Sequence, residues 1–224
     1  MRSKKTYLII NIFSHVMFIF YCFVFGFDYL YTLLIGFVAY NLAAEVYMHR
    51  SLSHNHFKFS DGVQKFLNTL YSMCNFGSLL ISVSAHHNHH KFMDHPGDPH
   101  DFRRIGMFRM IIKDWDNYSP DKNVIKKLIV NKNLKSQHYN HIFPSLVSAM
   151  IFPFIPVASF WLLNLLFVVA HFGKYPSSDI NIPILYPLML GSEMHRDHHS
   201  KPYKKKMHSF DIMYYSGKIL SMVK

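Results

Sequence analysis

Apolar and polar positions divide this 224-residue chain into long blocks rather than short amphipathic repeats. Residues Tyr7–Gly26 (YLIINIFSHVMFIFYCFVFG) carry no formal charge from end to end, and a second apolar run, Tyr29–Met48, follows the two-residue link Phe27-Asp28. A helix needs about 20 apolar residues to cross a bilayer, so the two runs predict a hairpin of spans at 7–26 and 29–48. Arg2, Lys4 and Lys5 ahead of the first run have the charge of a signal peptide. The run is too long for an h-region, however, and no small-residue cleavage site follows it. A third block, 142–172, is interrupted at Pro153 and Pro156. It is long for one helix and short for two full spans, and it reads as a second hairpin turning near Pro156. Between the hairpins, residues 49–140 are mixed and basic. Their one apolar stretch, Phe66–Ser84, contains Asn68 and Asn75 and predicts an interfacial or buried helix. The expected fold class is all-α and integral to the membrane. It has four transmembrane helices in two hairpins, a helical cytosolic cap and a tail at 173–224, in a single domain 1–224 without internal repeats.

Charge sharpens that picture. Charged residues make up 17% of the chain, below the roughly 25% of soluble domains, and Lys and Arg outnumber Asp and Glu by 24 to 13. Sparse charge with a basic excess suits either anionic lipid or nucleic acid. With spanning runs present, the expected partner is the lipid bilayer and not nucleic acid. The positive-inside rule puts Lys4 and Lys5 in the cytoplasm. With two hairpins, every Lys and Arg and both termini fall on that side, and the opposite side carries only Asp28. Cys22 and Cys74 have no CxxC spacing, which gives neither a disulfide framework nor a thiolate metal site.

The chain has 17 histidines, most of them in three short segments. The segments are His49-Arg-Ser-Leu-Ser-His54, His86-His-Asn-His89-His90 and His195-Arg-Asp-His198-His199. Helical positions i, i+3 and i+4 share a face, so each HxxHH aims three imidazoles at one volume. In an α-helix the two histidines of HxxxxH stand about 140° apart, so they grip different sides of a metal pair or the helix ends between them. Neutral imidazole suits iron, zinc or copper, and eight such ligands exceed what one ion accepts, which points to two metals.

The order HxxxxH, HxxHH, HxxHH resembles the three histidine boxes of membrane fatty-acyl desaturases, most closely the acyl-CoA (stearoyl-CoA-type) delta-9 branch. HRSLSHNHFKF is similar to that family's HRxxSHRxxK segment, HHNHHKFMDHPGDPHDFRR to its HRxHHKxxxxxxDPHxxRRG, and GSEMHRDHH to its GExxHNxHH. AHFG at 170–173 resembles the AHxxG that supplies a ninth histidine, here His171. The resemblance covers about Tyr29 to Tyr203. It implies nine metal ligands, His49, His54, His86, His89, His90, His171, His195, His198 and His199, around two ferrous ions. Zinc outcompetes ferrous iron for nitrogen ligands and is the expected substitute in purified protein.

The chain also departs from the pattern. His87 stands for an Arg, Arg196 for an Asn, and Glu193 is two rather than three residues before His195. Phe167 stands where the family has an Asn that contacts metal through water, so that role is either lost or passed to Asn164, on the same helical face as His171. Asn164, His87 and Glu193 are therefore expected around the metals without ligating them.

The resemblance implies an O2-dependent desaturase that places a cis double bond in an acyl-CoA or acyl-lipid. The same site in a lipid or carotenoid hydroxylase or ketolase, or a metal transporter, are the alternatives. No flavin, nicotinamide or Fe–S motif is present, so an external electron donor of the cytochrome b5 or ferredoxin type is required. Arg103, Arg104 and Lys91 are expected at the substrate head group or the donor. With the second span helical to His49, Glu45, Asn41 and Phe37 form a stripe running into the membrane. Polar groups at such depth face protein or water rather than lipid. The stripe is expected to line an acyl tunnel closed by Phe37, about 18 Å below His49.

Overall fold

The computed structural model describes residues 4–93, 95–101, 104, 106, 109, 119–170, 181, 183–190 and 194–224. Among them the chain is all-helical, with no strand and one isolated bridge between Asn181 and Met194. The helices are α1 (Lys4–Phe25), α2 (Thr32–Tyr40) running into a π-helix (Asn41–Ser53), α3 (Asp61–Met73), α4 (Leu79–Phe92), α5 (Lys122–Leu128) and α6 (Lys132–Asn140). They continue with α7 (Ile142–Ile151), α8 (Phe154–Ala170), α9 (Tyr186–Met189), α10 (His195–Ser200) and α11 (Ile212–Met222).

Two helical stretches are long and apolar enough to cross a membrane, Lys5–Phe25 and Phe27–Ser53. The first is about 31 Å long at the α-helical rise, close to the thickness of a hydrocarbon core. Its outward side chains are apolar and bare, with Ile9, Ile19 and Phe23 all exposed. Gly26, at φ 82, turns the chain into the second stretch through a 3-10 turn, Phe27–Tyr31.

The third apolar block differs from a hairpin of full spans. α7 and α8 meet at 109°, and α7, with 10 residues, is only about 15 Å long. The break falls at Phe152-Pro153 and not at Pro156. Phe152 precedes a proline and leaves the helical region (φ −125, ψ 52), whereas Pro156 sits in the first turn of α8, where no backbone N–H is needed. α8 lies against both α1 and α2. The approach to α2 is close because residue 36 is glycine: a Cβ there would come within 2.4 Å of the Phe154 carbonyl oxygen.

The stretch 66–84 is buried, but as two helices. Asn75 (φ 62) and Gly77 (φ 88) end α3 and allow α4 to start in a new direction. Gln137 of α6 closes that corner. Its amide donates to Ser72 Oγ (3.1 Å) and Gly77 O (2.8 Å), and its oxygen accepts from Leu79 N (3.0 Å) at the start of α4. Leu67, Tyr71, Leu79, Leu80 and Val83 fill the space between these helices and the π-helix. This packing carries α4 to the end of the second spanning stretch.

Candidate metal centre

The end of the π-helix, the last turns of α4 and α10 meet at one place and bring their histidines together. A π-helix closes i→i+5 hydrogen bonds, so residues five apart stack nearly above one another, unlike the wide separation that α-winding gives. His54 N donates to His49 O at 3.1 Å, and the two rings lie 5.1 Å apart between centroids. HxxxxH therefore acts here as a one-sided pair. α4 contributes His86, His89 and His90 by the i, i+3, i+4 rule, and α10 contributes His198 and His199.

The Nε2 atoms converge. His54 faces His86 at 2.8 Å, His86 faces His90 at 3.0 Å, His90 faces His198 at 3.1 Å and His198 faces His49 at 2.9 Å. His89 faces His199 at 3.2 Å. An imidazole Nε2 has one in-plane site, which holds either a proton to donate or a lone pair to offer. His86, His90 and His198 each face two neighbours, so ordinary hydrogen bonds cannot satisfy the whole chain of contacts. A cation can. Nitrogens held about 2.0–2.1 Å from one ion lie about 3 Å apart when they are adjacent, which is the spacing seen. Two sets of nitrogens could each hold an ion, His49, His54, His86 and His198 in one and His90, His198 and His199 in the other.

Two carboxylates fix the ring orientation. Glu45 Oε2 lies 3.0 Å from Nδ1 of His49, and Asp98 places both oxygens 2.9 and 3.0 Å from Nδ1 of His89. Both are buried. Each carboxylate holds the proton on Nδ1 and turns the Nε2 lone pair inward, the usual support of a metal-bound histidine. His100 stacks beside His89 with centroids 4.9 Å apart, and its backbone N–H donates to Asp98 at 2.7 Å. Burial, reinforced by repulsion from neighbouring imidazoles, pushes His54 and His86 far below the ordinary histidine range, so both are neutral and ready to bind metal. His56 is lowered to about 4, again chiefly by burial, against a hydrogen bond to Pro202 O that favours the charged form.

The remaining expected residues fall as follows. His171, Glu193 and Arg103 lie outside the described residues, as does the side chain of His195. His87 is exposed, hydrogen-bonded to the Ser53 backbone next to His54, with Asp121 nearby. Asn164 is buried, with its amide donating to Phe160 O at 2.8 Å. Along the expected stripe, Glu45 is bound to His49, Asn41 donates to Phe37 O at 2.9 Å, and Phe37 is half-buried. Lys91 lies over the Phe92 ring, 4.9 Å from its centroid. Arg104 donates to Asp98 O at 2.8 Å and approaches Asp101 at 3.8 Å, bracing the loop that carries Asp98.

Sequence reasoning named Glu45 as a tunnel residue rather than as the partner of His49, and missed Asp98 and one tether. Arg50 Nη1 pairs with Asp211 at 2.9 Å, with both groups buried, and this pair fastens the tail to the end of the π-helix. The DPH stretch was a signal for Asp98. Nothing within reach of Arg50 in the sequence announces Asp211, 161 positions away. No family model matches the chain, and no curated protein is similar enough to it to count as a match.

Proposed function

We propose that this protein is an integral-membrane, O2-dependent fatty-acyl desaturase that works with two histidine-held iron ions. The observation that carries the reading is the convergence of three separated histidine segments, in the order HxxxxH, HxxHH, HxxHH, at the end of a membrane-length helix. His49, His54, His86 and His198 would hold one ion, and His90, His198 and His199 the other, with His89 facing His199 beside it. His171 and His195 complete the set by spacing and resemblance. Iron so held supplies the O2-derived oxidant that an unactivated methylene pair requires, chemistry beyond any side-chain acid or base. Overall, two hydrogens leave the acyl chain, O2 accepts them with two further electrons and two protons, and two waters form.

The chain's own residues keep the nitrogens neutral and aimed. Glu45 and Asp98 hold the Nδ1 protons, and burial keeps His54 and His86 uncharged. The substrate is an acyl-CoA or acyl-lipid with a delta-9-like outcome. The two electrons come from an acidic carrier of the cytochrome b5 or ferredoxin type, drawn to a chain with formal net charge +11.

The test is anaerobic loading with ferrous iron, then addition of O2, reductant and acyl substrate, together with lipid profiling in a desaturase-deficient host. A new double bond with matching O2 uptake is expected. A hydroxylated or keto product would move the protein to the related oxygenases. Metal flux into vesicles without O2 uptake would make it a transporter.

A further inference from the structure

A second polar site lies away from the histidines, between α3 and α6. α3 turns Lys65, Asn68, Thr69 and Ser72 toward it, spaced i, i+3, i+4 and i+7, and α6 answers with Asn133, Ser136 and Asn140. Facing stripes of two packed helices are ordinarily apolar. Here they enclose a cleft of about 250 Å³, which His141 and Pro144 close at the start of α7. That volume is below the range of pockets for drug-sized ligands and suits a small polar group.

Asn68 is the buried anchor, at 6% exposure. Tyr47 donates to its Oδ1 at 2.8 Å, which fixes the amide with Nδ2 as the free donor. Among the described residues that Nδ2 has no hydrogen-bond partner, while the residue lines the cleft. Lys65, one turn earlier and exposed, brings an ammonium with no carboxylate within ion-pair distance among the described residues. Asp61 accepts from Asn133 Nδ2 at 3.4 Å at the rim, and Lys132 adds positive charge beside it on α6. Thr69 and Ser72 spend their hydroxyl protons on the Lys65 and Asn68 carbonyls, and Asn140 its amide on Ser136, so the groups left to a ligand are the Lys65 ammonium and Asn68 Nδ2, which suit a singly charged oxyanion.

The surroundings say where that oxyanion comes from. Ile142 and Phe143 follow His141 directly, and Phe66 follows Lys65; all three are exposed. Ile142 and Phe143 stand where the polar α6 gives way to the apolar α7. Ser145 of α7 donates to Ser72 O at 2.7 Å, and the Asn75 amide reaches the Tyr7 carbonyl in the first turns of α1 at 3.5 Å. A polar cleft flanked by bare apolar side chains at a membrane boundary fits an amphiphile. We infer that the cleft between α3 and α6 binds the phosphodiester headgroup of a membrane phospholipid, with Lys65 and Asn68 on the phosphate and the acyl chains along Phe66 and Phe143.

The test uses the full chain in detergent and native mass spectrometry, with phosphatidylglycerol, a diacylglycerol of the same chains, and inorganic phosphate as competitor. One phosphatidylglycerol should be retained and diacylglycerol should not. Lys65→Gln and Asn68→Leu should each weaken retention about tenfold or more, the worth of one charge-assisted hydrogen bond. Asn68→Leu also strips Tyr47 of its partner. If that variant does not fold, Lys65→Gln on the surface decides alone. Equal retention of diacylglycerol, or unchanged affinity in the folded variants, would overturn the site. Displacement of the lipid by an equal concentration of inorganic phosphate would assign the cleft to free phosphate and overturn the lipid. No step reads enzymatic turnover, so this result is separate from that of the desaturase reading.

Discussion

Glu45 and Asp98 decide which nitrogen of His49 and His89 faces the cluster, so they control metal binding without touching metal. Removing such a partner lowers metal affinity by about 10–100-fold. Glu45→Ala and Asp98→Ala should show losses of that size in chelator competition, with helix content unchanged. Asp98→Asn keeps an oxygen acceptor for Nδ1 and should lose less. Full affinity in Asp98→Ala would remove the carboxylate from any part in the site. The same test separates two roles for Glu45, because a residue that only lined an acyl tunnel would leave metal affinity intact. The cluster also sets the pH response of the metal-free protein. Burial holds His54 and His86 below the ordinary range and His56 at about 4, whereas in the unfolded chain all three take protons from about pH 6.5 downward. Below that pH the unfolded state binds more protons, so stability is lost as pH falls from about 6.5 toward 4 and is fully present above. The denaturant midpoint of metal-free protein should therefore be lower at pH 5 than at pH 7.5. An equal or higher midpoint at pH 5 would mean that these imidazoles are not held neutral by the fold.

At the scale of elements, the π-helix does what its sequence does not advertise. Wound as an α-helix, Asn41–Ser53 would point His49 and His54 apart; wound with i→i+5 bonds, it points both into one cluster. The segment is held by its surroundings. Val46 and Tyr47 are fully buried, Tyr47 is tied to Asn68 of α3, and Arg50 is paired with Asp211 at the head of α11. Asp211 also accepts from Tyr214 N and Met207 N, both at 2.9 Å, so one carboxylate starts α11, shapes the loop before it and neutralises Arg50. Asp211→Ala leaves a buried guanidinium without its counter-charge, a change worth about 3–5 kcal/mol. Thermal or denaturant unfolding should show a loss of that order. Replacing both partners, Arg50→Met with Asp211→Leu, removes the charge with its counter-charge and should recover much of it. If the double variant is no more stable than Asp211→Ala, the cost comes from the lost cap of α11 and not from the orphaned charge.

Across the whole molecule, what could be read in advance is what depends on local periodicity. The two long apolar runs and the one-faced set of His86, His89 and His90 follow from helix geometry and appear where the sequence puts them. Positive-φ residues at Asn75 and Gly77 split the helix expected at 66–84, and the choice of Pro153 over Pro156 moved a bend, because several sites in each stretch could have broken the helix. Glu45 was in view on the stripe below His49, four residues away, but the partners of His89 and Arg50 needed the fold, most of all Asp211, which reaches back across the chain to Arg50. The three histidine segments stand far apart in the sequence, so a shared ion would act as a long-range tether. Among the described residues the tail has other attachments: the Arg50–Asp211 pair, the contacts of His56 with Pro202 O and of Arg50 with Lys205 O, and Phe57 packed on Tyr214 and against Gly217, where a Cβ would come within 2.4 Å of the Phe57 ring. Removing metal cuts only the first tether. It also leaves converging Nε2 atoms that hydrogen bonds alone cannot satisfy, so α10 should loosen while α11 stays docked. Chelator-treated protein should be cut faster by trypsin at Lys204–Lys206 than metal-loaded protein. The far-UV helical signal should barely move, because α10 has only 6 residues. Fragment masses identify the cut sites, and re-addition of metal should restore protection. Equal cleavage rates with and without metal, in a protein where Asp211→Ala alone speeds cutting, would mean that the ion pair and not the histidine cluster holds the tail.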